Sequence, residues 1–142
     1  MNPLYQEALL RHAKAPCGAG SVPRGTEDAE AINDSCGDEI RVKLEWTPEG
    51  SLKRLTHELH GCAVSRAAAS VLARRLEGKT REEIAAMGSA FRSRLGKRGF
   101  EEEWGEFQMF NGIERFPARI HCAALPWKAV ERALAGEAAG GA

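Results

Sequence analysis

The sequence predicts an α+β domain with an antiparallel sheet, and two observations carry that expectation. Residues 40 to 46 alternate apolar and charged side chains with period two, and a second such run follows after a short turn. Helical periodicity lies before and after these strands rather than between them, which argues against an alternating parallel sheet.

Taken in order, Asn2 and Pro3 supply an N-cap and a first helical residue, and Tyr5, Leu9 and His12 then recur at helical spacing. Pro16, Gly18 and Gly20 stop that helix. Residues 17 to 35 form a polar connection with one short strand over Ala29 to Asn33. Ile40, Val42, Leu44 and Trp46 alternate with Arg41, Lys43 and Glu45, as in a strand with one buried face. Thr47 to Ser51 makes a turn, and the next strand sets Leu55, His57 and Leu59 on one face, so the two strands form a hairpin. His57, between two leucines, is expected to be a hydrogen-bonded core residue. From Ser65 the pattern turns helical, with Ala68, Val71, Leu72 and Leu76 on one side and Gly78 as the stop. Thr80 with Glu83 reads as a capping box opening a helix that carries Ile84, Met87, Phe91 and Leu95. Gly96 to Gly105 is a charged break, and a short amphipathic stretch from Trp104 to Phe110 leads to a loop ending at Pro117. The last helix is expected to begin near Cys122 and to bury Trp127, Val130 and Leu134.

With 142 residues the chain has the length of one domain, over 1–135, followed by a flexible tail over 136–142. Hydrophobic residues at 43% and charged residues at 28% give the balance of a water-soluble globule. Twenty basic residues match twenty acidic ones, so nothing in the charge suggests a nucleic-acid partner. No apolar run approaches the roughly 20 residues that cross a bilayer, and the N-terminus lacks a signal peptide, so no membrane partner and a cytoplasmic location are expected. In that reducing compartment Cys17, Cys36, Cys62 and Cys122 are expected as thiols or metal ligands rather than disulfides.

Cys36 and Asp38 flank Gly37 in the loop that enters the first long strand, and side chains two apart in extended backbone project the same way. Cys62 follows the second strand, and hairpin pairing would bring Asp38 and His60 to the same end. Cys62 and Cys122 are both expected at helix N-termini, where the dipole favours thiolate. Three thiolates and one carboxylate suit tetrahedral zinc, or an iron–sulfur cluster with one labile, oxygen-ligated corner. Spacing alone does not decide between this and three cysteines used as small buried hydrophobes, because no Cys-x-x-Cys pair is present. His60 is a candidate neighbour of the site, His12 is expected to pack or cap locally, and Cys17 is expected to be incidental.

The wording around these residues goes further. Cys36-Gly37-Asp38, then Gly61-Cys62-Ala63-Val64-Ser65, then Pro117-Ala118-Arg119-Ile120-His121-Cys122 closely resemble the IscU/SufU family of iron–sulfur cluster assembly proteins, the NifU N-terminal type. The resemblance spans about residues 4 to 134. It implies helices packed mainly on one face of a small antiparallel sheet, and Cys36, Asp38, Cys62 and Cys122 as ligands of Zn2+ or a [2Fe-2S] cluster. It also implies a cysteine desulfurase as sulfur donor, and acceptor apoproteins or cluster carriers downstream. The long segment between Cys62 and Cys122, with Arg119 and Trp127, is similar to the SufU branch. That branch implies a zinc-dependent sulfurtransferase, with Cys36 as the first choice for persulfide acceptor and Cys122 as a second reactive cysteine. His121 resembles instead the IscU branch, which implies a non-enzymatic scaffold with His121 as an alternative cluster ligand. The chain departs from the family's usual pattern at Cys17, Asp34, His57 and Leu59.

Overall fold

The computed structural model describes residues 3–34 and 36–140, with side chains described over 6–34 and 36–136. The expected N-cap Asn2 and the side chain of Tyr5 lie outside these residues. A first helix, α1 (Pro3–Lys14), leads through a long connection to β1 (Ala29–Asn33), β2 (Asp38–Trp46) and β3 (Leu52–His60). Two helices follow, α2 (Ala63–Arg75) and α3 (Arg81–Ser93), and after irregular turns a long helix, α4 (Pro117–Gly140), closes the chain.

The three strands form one antiparallel sheet in the order β1-β2-β3. Ala31, Ile40 and Leu59 lie side by side across it, as do Val42 with His57 and Leu44 with Leu55. This register puts every apolar residue of the period-two pattern on one face, where Ile40, Val42, Leu44 and Leu55 are buried. Helix α4 packs against β1 and β2, and α2 against β3 and α4, so the core lies between this face and the helices. The opposite face is crossed by the 20–28 connection, where Arg41 Nε donates to the Val22 carbonyl at 2.8 Å.

Ahead of α3 the capping box forms as the sequence predicts: Thr80 Oγ1 accepts from the Glu83 N–H, and the Glu83 carboxylate accepts from the Thr80 N–H. Leu95 lies beyond the end of α3, in extended conformation, yet is buried. The charged break is not a loose loop. A 3-10 segment over Glu102–Phe110 turns Phe107, Met109 and Phe110 inward. The rings of Phe91, Phe100, Trp104, Phe107 and Trp127 form a cluster with centroids 5.2–5.8 Å apart.

One expectation needs correcting. The last helix starts at Pro117, not near Cys122, so Cys122 lies in its second turn. Proline is favoured in the first turn of a helix because it has no N–H to leave unpaired, and Pro117 opens this one rather than ending the loop before it. At the other end, the backbone of the expected tail is helical as far as Gly140.

Candidate metal centre

The β1–β2 connection brings the first two site residues together. Asn33 pairs with Asp38 across the sheet, and its carbonyl accepts from the Gly37 N–H at 2.8 Å. Gly37 takes φ +75°, a left-handed conformation that a side chain disfavours, and this turns the chain tightly enough to set exposed Cys36 beside buried Asp38. Helix α4 supplies Cys122 from the side: it is buried, and its sulfur lies 3.5 Å from that of Cys36. Ligand atoms of Cys36, Asp38 and Cys122 all lie within 4.8 Å of one another. Tetrahedral zinc with thiolate ligands needs donor atoms about 3.5–4 Å apart; the two sulfurs meet that spacing, and the Asp38 oxygen lies within 4.8 Å of both.

Cys62 stands just outside that triad and is tied to it. It is the N-cap of α2, and its N–H donates to Asp38 Oδ1 at 3.3 Å. Its sulfur lies 3.6 Å from Ser65 Oγ. The expected position at a helix N-terminus is therefore found for Cys62 and not for Cys122. Burial pushes the Cys122 thiol far above its ordinary range, and contacts with Cys36 and Cys62 and the negative charge of Cys62 and Asp38 add to the rise. Cys122 is accordingly protonated at neutral pH, and a metal bound there would have to displace that proton.

Three further residues join the site that the sequence did not mark as part of it. Arg119 lies against Cys62 and Cys122, and negative charge on Cys62 together with hydrogen bonds to both sulfurs raises its guanidinium pKa further. Asn33 Nδ2 points a donor at Cys122 Sγ at 3.7 Å. Ser65 Oγ donates to Asp38 Oδ2 at 3.0 Å. The signal for Arg119 was its spacing: three residues before Cys122, it shares a helix face with it once the helix begins at Pro117.

The other candidates lie elsewhere. His121 is exposed and, among the described residues, belongs to no metal-capable group. His60 pairs with Glu39 across the sheet near Asp38, as expected, but its ring is 65% exposed and lies 3.5 Å from Glu58. His12 packs in the interior, bridging Ser70 Oγ at 2.7 Å and Glu106 Oε2 at 2.5 Å. Cys17 is half-buried, and its N–H donates to Ser70 Oγ at 2.8 Å.

A one-sided α+β layer thus brings thiols and a carboxylate together at one end of its sheet, a donor set whose chemistry suits a soft metal ion. The chain belongs to the NifU-like N-terminal domain family, whose pattern matches residues 4–136. It is 30% identical over 142 residues to the zinc-dependent sulfurtransferase SufU of Bacillus subtilis, covering 99% of this chain and 95% of that one. It is 33% identical over 132 residues to the iron–sulfur cluster assembly scaffold protein IscU of Thermotoga maritima, covering 92% of each. The fold is similar to a crystal structure from Fervidobacterium islandicum AW-1, described as an iron–sulfur cluster assembly scaffold protein for the SUF system. The TM-score is 0.78 at 30% identity, over 90% of this chain and 94% of that one.

Proposed function

We propose that this protein accepts persulfide sulfur from a cysteine desulfurase at a zinc site formed by Cys36, Asp38, Cys62 and Cys122, and delivers it to iron–sulfur cluster assembly. The observation that carries the reading is the convergence of Cys36, Asp38 and Cys122 within 4.8 Å, with Cys62 hydrogen-bonded to Asp38 beside them. The Bacillus subtilis relative, named a zinc-dependent sulfurtransferase, supports it. So does the long ordered segment between α3 and α4, the feature by which the sequence is similar to the SufU branch.

Bound zinc would supply a charge that holds the thiols as thiolates at neutral pH. The remaining work falls to the chain. Cys36, exposed on its turn, is the sulfur that a partner can reach. Its thiolate attacks the outer sulfur of the donor's persulfide, the donor's S–S bond breaks, and the donor cysteine leaves with the electron pair as thiolate. Cys36 then carries the persulfide, with no net oxidation or reduction. Arg119, beside Cys62 and Cys122, offsets negative charge that gathers on the sulfurs.

A second reading is a non-enzymatic scaffold that assembles a [2Fe-2S] cluster on the same residues and passes it to apoproteins or carriers. The 33% identity to the Thermotoga maritima scaffold favours it, and in it His121 is an alternative ligand. Metal and sulfide analysis of protein purified without oxygen or chelator separates the two. About one zinc per chain and no sulfide is expected, with zinc lost in Cys36→Ser, Cys62→Ser and Cys122→Ser. Iron with matching sulfide selects the scaffold, and protein free of metal removes both. The expected sulfurtransferase also raises a desulfurase's turnover when present in substoichiometric amount, which a scaffold does not.

A further inference from the structure

Ser65 touches two of the proposed ligands at once, and the sulfur chemistry above makes no use of it. Its side chain is fully buried in the first turn of α2. The hydroxyl lies 3.0 Å from Asp38 Oδ2, 3.1 Å from the Cys62 carbonyl oxygen and 3.6 Å from Cys62 Sγ. A hydroxyl has one proton to donate, so the carboxylate and the carbonyl compete for it, while the Cys62 sulfur can be donor or acceptor in its contact. The carboxylate is the nearest of them and carries charge, and a charge-assisted hydrogen bond is roughly twice as strong as a neutral one.

Asp38 is held from both sides by one turn of chain. Its Oδ1 accepts the Cys62 N–H at 3.3 Å while its Oδ2 accepts the Ser65 hydroxyl. The absence of a side chain at Gly61 makes the arrangement possible: a Cβ there would stand 2.8 Å from Asp38 Cγ and 2.8 Å from Ser65 Oγ. A carboxylate bonded through both oxygens is restrained from swinging about its χ2 axis, so its oxygen is held within 4.8 Å of the Cys36 and Cys122 sulfurs.

We propose that Ser65 is a positioning residue for the metal centre: its buried hydroxyl orients the Asp38 carboxylate toward Cys36 and Cys122, and so sets how firmly that carboxylate can hold a cation. The inference rests on the metal-site reading above and extends it to a residue outside the donor set. Outer partners of ligating carboxylates and imidazoles act in this way, and their loss typically costs 10–100-fold in metal affinity.

The test is a double-mutant cycle read as zinc affinity, by competition with a chromophoric chelator, in wild type, Ser65→Ala, Asp38→Ala and the double variant. Ser65→Ala is expected to weaken zinc binding at least ~10-fold when Asp38 is present and to have no further effect when Asp38 is absent. Equal weakening in both backgrounds would mean that the hydroxyl acts through its bond to the Cys62 carbonyl or through packing, and overturns the proposal. No weakening in either background overturns it too. A second readout does not depend on zinc. Asp28, Asp34 and Asp38 are the aspartates of the chain, so the carboxylate infrared band of 13C-aspartate protein that disappears in Asp38→Ala belongs to Asp38. That band is expected to shift in metal-free Ser65→Ala, and an unmoved band overturns the proposal. Wild-type protein that binds no zinc sinks the zinc-dependent sulfurtransferase reading instead, and the infrared band then decides on Ser65 by itself.

Discussion

His57 shows how a single residue can be legible in a sequence and still carry a cost that the sequence hides. Its position between Leu55 and Leu59 predicts a hydrogen-bonded core histidine, and it is buried beside Val42 with Nε2 donating to the Cys17 carbonyl at 2.8 Å. Its Nδ1 has no partner among the described residues. Burial lowers its pKa, and the bond to Cys17 offsets only part of that. The sign follows from linkage. An unfolded histidine takes up a proton near pH 6.5, while the folded one refuses it until lower pH. The unfolded state therefore binds more protons below about pH 6.5, and stability falls as pH drops, by at most ~1.4 kcal/mol per pH unit from this group. His57→Gln keeps a donor for the Cys17 carbonyl and removes the titration. Its melting temperature is expected to fall less steeply than wild type's between pH 7 and pH 5, and parallel curves would rule His57 out as the source of acid lability. The residues of the proposed site were legible in a different way. Cys36, Asp38, Cys62 and Cys122 stood out by motif, whereas the contacts of Ser65 and Asn33 depend on strand register and helix rotation, which motifs do not encode.

At the scale of elements, the pattern was clearest where structure is local. The period-two strands and the Thr80–Glu83 box need only neighbouring residues, and each forms as predicted. Thr80→Ala is expected to cost about 1 kcal/mol, read from urea unfolding, with the metal centre unaffected. Over residues 94 to 116 the pattern was least clear. No period runs through Phe100, Trp104 and Phe107, because these rings are ordered by contacts with Phe91 and Trp127 on α3 and α4 rather than by their own chain. Gly96 to Gly105 therefore reads only as a charged break and Trp104 to Phe110 as a short amphipathic stretch, whereas together they cover the core. Phe107, which is 1% exposed, meets Phe91, Phe100 and Trp104, and Phe107→Ala is expected to destabilise the fold by ~3–5 kcal/mol. A loss below about 1 kcal/mol would show that the segment packs loosely, as a surface insertion does. The misplaced start of α4 has the same origin: the apolar spacing begins after Cys122, and only Pro117 marks the true first turn.

In the whole molecule, the proposed ligands come from parts of the chain that are far apart in sequence: the β1–β2 turn, the start of α2 and the second turn of α4. A cation held among them ties the sheet to both helices, and it can do so only in the folded state. Binding that favours the folded state stabilises it by RT ln(1 + [L]/Kd), about 2.7 kcal/mol at a hundredfold excess over Kd. In a chain of this size that corresponds to a melting temperature raised by ~5–10 °C. Scanning calorimetry of metal-free protein with and without zinc is expected to show that rise in wild type. Cys122→Ser is expected to abolish it, because the buried hydroxyl cannot replace a thiolate as a zinc donor. The comparison between these two proteins is the informative one. If the zinc-dependent rise persisted in Cys122→Ser, the cation would be bound elsewhere, and the convergence of Cys36, Asp38 and Cys122 would be a feature of packing. If it disappears while the metal-free melting temperatures of the two proteins stay close, the sulfur of Cys122 serves the metal and not the core, although it is wholly buried among core residues.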